Sequence, residues 1–249
     1  MLSTEQKIDK VVSWLQDKVK ESGTNGLVVG ISGGIDSAVV AFLIKKAFPN
    51  NSMGVIIPIK SSPKDREDAL KVVKACGIDY LDLEITDVHT SLFDKVTDQM
   101  KEKNLYKEEN ERITDANLRA RLRMSTLYTV ANNLNYLVVG TDNKAEVYTG
   151  YFTKYGDGGV DLIPIANITK REVYKWARVL GVPKDVIDRP PSAGLWEGQT
   201  DENEMGTTYD MIDDLLEGKD IPKKDREIIE RLHKRSEHKR NMPPKPPEF

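Results

Sequence analysis

From Gly30 to Ser37 the chain reads Gly-Ile-Ser-Gly-Gly-Ile-Asp-Ser, and these residue types in this order are suited to phosphate chemistry. The adjacent Gly33 and Gly34 let the backbone curl so that successive N–H groups point inward. A helix opening near Ser37 adds the positive end of its dipole. The hydroxyls of Ser32 and Ser37 can donate to phosphate oxygens, whereas Asp36 cannot. A carboxylate among phosphates makes sense when it holds Mg2+, a hard cation that takes a few carboxylates together with phosphate oxygens. Two other phosphate loops do not fit. The G-x-x-x-x-G-K-[ST] loop needs Gly-Lys-Ser/Thr at a set distance after Gly30, and G-x-G-x-x-G needs a spacing that Gly30, Gly33 and Gly34 lack. A plain strand-to-helix turn would not need an aspartate beside its serines.

A second polar stretch, Val138 to Glu146, contains Gly140-Thr141-Asp142 and runs off another expected strand end, where open parallel sheets place ligands. It continues into Thr149-Gly150-Tyr151-Phe152-Thr153-Lys154-Tyr155-Gly156-Asp157-Gly158-Gly159-Val160-Asp161, a mixture of Lys, Asp, Gly and aromatic residues that suits a polar ligand with rings. Glu146 in isolation would be a solvated carboxylate, and its place after a strand end is what singles it out. Arg121 and Arg123 could form a charged helix face, and Arg123 is read that way. His233 and His238, among lysines, would ordinarily lie on a solvated basic helix. Cys76 closes an amphipathic helix and reads as core or near-core, while Trp14, Tyr174 and Trp176 read as packing residues. Trp196, flanked by Gly194 and Gly198, is a candidate lid contact.

These residues need elements to hold them. Leu27–Ile31 is too short and too β-branched for a helix and reads as a buried strand. Further strands are expected at 53–59, 80–85, 136–139 and 160–165. Helices are expected from about residue 4, over 37–48, to about Cys76 from Ser62-Pro63, over 87–101 and 114–133, and from Thr169 with Glu172 as a capping box. Strands alternating with helices predict an α/β fold: a doubly wound, mostly parallel, five-stranded sheet flanked by helices, with a helical C-terminal segment over 221–240. Residues 189–204 read as a long loop of the kind used as a mobile lid, and 241–249 as a proline-rich tail, within a single domain spanning 1–249.

Composition narrows the function classes. The 249 residues are 39% hydrophobic and 31% charged, with net charge −3 and one cysteine. That balance argues against a nucleic-acid coat or a membrane-surface role, and one cysteine excludes an intrachain disulfide and a multi-cysteine metal site. No secretory h-region or run of roughly 18 apolar residues is present, so a cytoplasmic protein is expected.

The Ser32–Ser37 loop resembles the S-G-G-x-D-S signature of the ATP pyrophosphatases, enzymes that cleave ATP to AMP and pyrophosphate. With Gly140-Thr141-Asp142-Asn143-Lys144-Ala145-Glu146 and Phe152-Thr153-Lys154-Tyr155-Gly156-Asp157-Gly158-Gly159, the chain closely resembles bacterial and archaeal NAD synthetases, whose motifs include G-T-D-x-x-E and F-T-K-Y-G-D-G-G. Ala120-Arg121-Leu122-Arg123-Met124 and Glu237-His238-Lys239-Arg240 match as well, so the resemblance runs from the first strand to Lys239. It implies an adenine nucleotide alpha hydrolase-like fold and amidation of deamido-NAD by ammonia with ATP as co-substrate. By the same resemblance, Gly30, Ile31, Ser32, Gly33, Gly34, Ile35, Asp36 and Ser37 cradle ATP phosphates. Asp36 and Glu146 hold Mg2+, and Thr141, Lys170 and Ser192 contact ATP. Arg121, Lys154, Asp161, His238 and Lys239 contact deamido-NAD, and Ser192 stands where some relatives have threonine. Asp157, between glycines, is assigned to ammonium binding or to taking its surplus proton. A homodimer is expected, with Leu118, Leu122, Leu127 and Val130 of the long helix at its interface. Glutamine is not expected to serve as nitrogen donor, because no segment at either end has the length for a second catalytic domain. Two rival readings stand beside this one: another ATP pyrophosphatase acting on a different acid or on tRNA, and a non-catalytic nucleotide sensor.

Overall fold

The computed structural model describes residues 2–191 and 200–248. The chain opens with α1 (Thr4–Ser22), capped by the expected reciprocal bonds between Ser3 and Gln6. Then β1 (Gly26–Gly30), α2 (Ile35–Ala47), β2 (Ser52–Ile56), α3 (Pro63–Cys76), β3 (Asp79–Asp82) and α4 (Thr86–Glu102) alternate, followed by the long α5 (Glu111–Leu134) and β4 (Tyr136–Val139). The remaining helices are α6 (Lys144–Thr149), α7 (Lys170–Leu180), α8 (Lys184–Ile187), α9 (Asp201–Met205), α10 (Tyr209–Leu216), α11 (Lys223–Arg235) and α12 (Glu237–Arg240).

The sheet is wholly parallel, in the order β3-β2-β1-β4. It has four strands among the described residues, not the expected five. The segment 160–165 makes only one parallel bridge, Leu162 to Val139, because Pro164 has no N–H to extend a ladder. Asp161 ties the segment down differently, its Oδ2 accepting from the Val138 N–H at 2.8 Å. The expected helix 221–240 divides at Ser236 into α11 and α12.

Both faces of β1 are buried, which is why Leu27-Val28-Val29 is continuously apolar. Leu27 and Val29 pack with α1, α2, α3 and α7 around Leu15, Leu43, Ile44, Val72 and Trp176. Val28, Val55 and Val138 face α5 through Leu122, Leu127 and Val130. Each fully buried Val or Leu side chain contributes about 1.5–3 kcal/mol. Leu122, Leu127 and Val130, expected with Leu118 at a dimer interface, are half-buried against the sheet. Trp176 is fully buried, Trp14 and Tyr174 pack against the same core, and the Cys76 thiol donates to the Ala41 carbonyl at 3.5 Å, as core or near-core residues should. A third cluster, built on Ala145, Met205, Tyr209, Ile212 and Ile229, carries α6 and α9–α11 beside the sheet.

Crossovers from β1 lead to β2 on one side, and β4 lies on the other. The sheet thus reverses its order between β1 and β4, and ligands of open parallel sheets bind beyond the strand ends at such a point.

Candidate active site

Ser32 to Ser37 runs from the end of β1 into the first turn of α2, which opens at Ile35. The loop is preorganised from within: Ser37 Oγ accepts from the Ser32 N–H at 3.2 Å and donates to the Gly34 carbonyl at 3.0 Å. Gly33 has φ +86°, and a Cβ there would lie 2.5 Å from the Asp65 carbonyl oxygen. The backbone curl therefore requires glycine on both conformational and steric grounds.

The second wall is set by the start of α6. Asn143 caps this helix, accepting from the N–H groups of Ala145 and Glu146, while Glu146 Oε2 accepts in return from the Asn143 N–H at 2.9 Å. This reciprocal box fixes the Glu146 side chain, a local device legible in the N-x-x-E spacing. The same Asn143 donates to Asp36 Oδ1 at 3.0 Å, linking the two walls. Lys170, the first residue of α7, places Nζ 2.6 Å from Asp36 Oδ2 and 3.6 Å from Glu146 Oε1. Thr169 caps α7 as expected, but the reciprocal half of the box is missing because Lys7 takes the Glu172 carboxylate. Asp213 completes the start of α7 by accepting from the N–H groups of Lys170 and Arg171.

The electrostatics follow from burial. Glu146 is pushed up to about 7 by burial and by the neighbouring Asp36, against the pull of Lys170. Burial acts against the Lys170 charge, yet Asp36 and Glu146 outweigh it and raise its pKa, so the ammonium persists. One buried cation thus already answers both carboxylates. That convergence is a fit test for Mg2+: a single positive position lies within reach of Asp36 and Glu146. Among the described residues no group of three or more metal-binding side chains exists, so further ligands of such an ion would be phosphate oxygens and water.

Phosphate loop, Thr141, Asp142, Glu146, Phe152, Asp157 and Lys239 line one cavity of about 570 Å³, within the range of ligand sites. Asp157 is exposed to it and accepts from the Thr153 N–H at 2.9 Å. Arg121, Lys154 and His238 come together at the surface, apart from the cavity lining, where Arg121 donates to the Lys154 carbonyl and Lys154 to the His238 carbonyl. Lys239 donates to the carbonyls of Gly150 and Phe152. Asp161 sits apart from the cavity lining, with Oδ1 accepting from Tyr128 and Oδ2 from Val138. Ser192, with Gly194, Trp196 and Gly198 and half of the expected 189–204 lid, lies outside the described residues. The described end of that segment is not irregular: Thr200 caps α9.

Four site residues escaped sequence reasoning. Asp142 is 6% exposed and lines the cavity, and burial, then Asp157, Glu146 and Asp36, raise its carboxyl well above the usual range. Tyr209 bonds Glu146 Oε1 at 2.8 Å and Asp201 Oδ2 at 2.9 Å. Asp142 stands inside the Gly140-Thr141-Asp142 motif and so had a signal, whereas Tyr209 and Asp201 lie far along the chain with none. Arg123 corrects an expectation: instead of sitting on a solvated helix face it is half-buried, lines the cavity, and donates to the Ile57 carbonyl at 3.1 Å and to Ser61 Oγ at 3.2 Å.

Comparison with known proteins agrees with this geometry. The family model described as NAD synthase matches residues 7–243. The chain is 64% identical to the NH(3)-dependent NAD(+) synthetase of Alkaliphilus oremlandii over 97% of both chains. Its structure is similar to that of an NMN synthetase from Francisella tularensis, with TM-score 0.90, 38% identity and 99% of each chain covered. It is also similar to an NH3-dependent NAD synthetase from Campylobacter jejuni, with TM-score 0.78, 29% identity, and 99% of this chain and 100% of that one covered.

Proposed function

The chain belongs to the NAD synthase family, and from that premise we infer that it is an ammonia-dependent NAD synthetase, which amidates deamido-NAD with consumption of ATP. The observation that carries the site assignment is the convergence of Asp36, Glu146 and Lys170 beside the glycine loop at the switch point of the sheet.

A carboxylate resists ammonia because it is negatively charged and has no good leaving group. In the proposed reaction, a nicotinate carboxylate oxygen attacks the α-phosphorus of ATP, the bond to the β-phosphate oxygen breaks, and pyrophosphate leaves. Ammonia then adds to the acyl carbon of the mixed anhydride, AMP departs with its bridging oxygen, and one proton is lost to a base. The protein's task is positioning and charge neutralisation. The glycine loop and Ser32 and Ser37 hold phosphate oxygens, with Thr141 and Ser192 as further ATP contacts. Lys170 turns its charge from Asp36 and Glu146 toward the phosphates. Arg121, Lys154, Asp161, His238 and Lys239 are assigned to the dinucleotide, and Asp157, opening on the cavity, to the incoming amine and its proton. Asp36 and Glu146 would hold Mg2+, which supplies charge neutralisation for the departing pyrophosphate.

A homodimer belongs to the same proposal, and α4, which packs on α5, adds a second apolar face to the one expected on α5. Val88, Leu92, Val96 and Met100 recur at four-residue spacing along α4 and are 48%, 42%, 49% and 37% exposed. A continuous apolar stripe of this kind suits an interface with a second copy. No helix of the described residues is long and apolar enough to cross a membrane, and a cytoplasmic location, a single domain over 1–249 and a lid over 189–204 remain part of the proposal.

The test is NAD formation by the purified chain from deamido-NAD, ATP, Mg2+ and ammonium, beside ammonia-free glutamine as nitrogen source. Ammonium should support turnover and glutamine should not; no NAD from ammonium would overturn the proposal. The likeness to a protein named NMN synthetase motivates a second arm with nicotinic acid mononucleotide, for which a lower kcat/KM than for deamido-NAD is expected.

A further inference from the structure

Among the described residues four cationic side chains line the cavity: Arg66, Arg123, Arg189 and Lys239. Arg66 is paired with Asp82 at 2.6 Å, and Arg189 with Asp65 and Asp68. Lys239 lies in the field of Asp157 and Asp142 and falls in the motif that the family resemblance assigns to substrate. Arg123 is answered only by neutral acceptors. Its Nε donates to the Ile57 carbonyl and its Nη2 to Ser61 Oγ, and among the described residues no carboxylate comes within ion-pair distance. A guanidinium carries five N–H donors, two are used here, and three remain.

A charge enclosed by protein without a partner is costly unless something supplies one. The cost is visible in the group itself. Burial, and then the neighbouring Arg119, push the Arg123 pKa down to about 10, against the pull of Asp157 and Asp65. Position supplies the rest of the case. Ile57 and Ser61 belong to the segment leaving the C-terminal end of β2, next to the glycine loop, and Asp157 lines the same chamber. The proposed reaction must bring two anions, a carboxylate and a triphosphate, to bonding distance in this space. Their repulsion grows as water leaves, so a fixed cation between the walls is worth more there than in solvent.

We propose that Arg123 is an oxyanion-binding residue of the reaction chamber, its free N–H fork taking either a phosphate oxygen of the adenylate or the nicotinate carboxylate. The inference rests on the proposed amidation for the identity of the anions. Its physical basis is the Arg123 guanidinium, held by Ile57 and Ser61 and left without a carboxylate.

The experiment measures binding by calorimetry for the full chain and for Arg123→Gln and Arg123→Lys, using two pairs of probes that differ in charge at one group. AMP against adenosine isolates the phosphate; deamido-NAD against NAD isolates the carboxylate. A hydrogen-bonded charge pair supports an expected loss of at least about tenfold for the anionic member of one pair in Arg123→Gln, with its neutral counterpart changed less than about threefold. Loss confined to AMP identifies the phosphate, and loss confined to deamido-NAD identifies the carboxylate. Arg123→Lys, which keeps the charge but not the fork, should fall between wild type and Arg123→Gln, and it serves as the test should Arg123→Gln not fold. Equal weakening of charged and neutral probes, or no weakening at all, would mean that Arg123 merely tethers the segment after β2, and the proposal fails. Failure of the wild-type chain to form NAD would count against the amidation instead, because charge-selective binding does not depend on turnover.

Discussion

Replacing Tyr209 with Phe removes one oxygen from the buried wall behind Glu146. The hydroxyl lies 2.8 Å from Glu146 Oε1 and 2.9 Å from Asp201 Oδ2, on a side chain only 5% exposed. It has one proton, so it donates to one carboxylate while the other contact requires a carboxyl proton; burial raises both carboxyl groups and so favours that shared state. A hydrogen bond to a charged group contributes about 1.5–3 kcal/mol net, which is roughly 10- to 150-fold in an equilibrium constant. Outer partners of metal ligands typically account for about 10- to 100-fold in metal affinity, the same range by another route. Tyr209→Phe is therefore expected to raise the Mg2+ concentration for half-maximal NAD formation by about 10- to 100-fold. It should also lower Tm by several degrees, since about 1–3 kcal/mol corresponds to roughly 2–4 °C per kcal/mol at this size. The sign with pH is fixed. Glu146 must be ionised to hold a cation, and its carboxyl is already pushed up to about 7. The Tyr209 bond lowers it, so losing that bond moves ionisation to higher pH, and the Mg2+ deficit should shrink from pH 6.5 to 8.5. Titrations of Mg2+ at several pH values, beside thermal melts, give both readouts. An unchanged Mg2+ midpoint with full turnover would refute the role given to Tyr209.

Asp36→Asn and Glu146→Gln should each cut kcat by at least roughly a hundredfold with the fold retained by circular dichroism; normal turnover at saturating Mg2+ removes that residue from the metal site. Asp157→Asn should raise the KM for ammonium or lower kcat while leaving the KM for ATP unchanged, and unaltered ammonium kinetics would reduce Asp157 to a loop-fixing residue that accepts the Thr153 N–H. The double change Leu92→Glu with Val96→Glu should convert a sedimenting dimer to monomer, and a wild-type monomer at micromolar concentration with ligands present contradicts the interface on α4.

Much of the molecule could be read from residue order because its determinants are local. Ser3 with Gln6, and Ser62 with Pro63, set helix starts through bonds three residues long, and a chain expected to alternate strand and helix does so. The glycine loop and the Asn143–Glu146 box likewise carry their geometry in adjacent residues. Pairing partners are a different matter. The stretch 160–165 has strand-like side chains, yet Pro164 and the inward bond of Asp161 leave it one bridge short of a ladder. Arg123 and the apolar residues of α5 show the same limit, since helical spacing says which residues share a face but not whether that face meets solvent, a sheet or a ligand chamber. Tyr209 reaches Glu146, and Asp201 reaches Tyr209, only through the tertiary packing of α9 and α10 on α6.

The central claim, activation of the nicotinate carboxylate as an adenylate, is tested most directly by following oxygen. Deamido-NAD labelled with oxygen-18 in the carboxylate is turned over with ATP, Mg2+ and ammonium, and the phosphorus products are analysed by mass spectrometry and phosphorus NMR. Attack of the carboxylate on the α-phosphorus predicts one labelled oxygen in each AMP formed, with unlabelled pyrophosphate in equal amount. Label in orthophosphate, accompanied by ADP, would show that the γ-phosphate is the group transferred and would contradict the account.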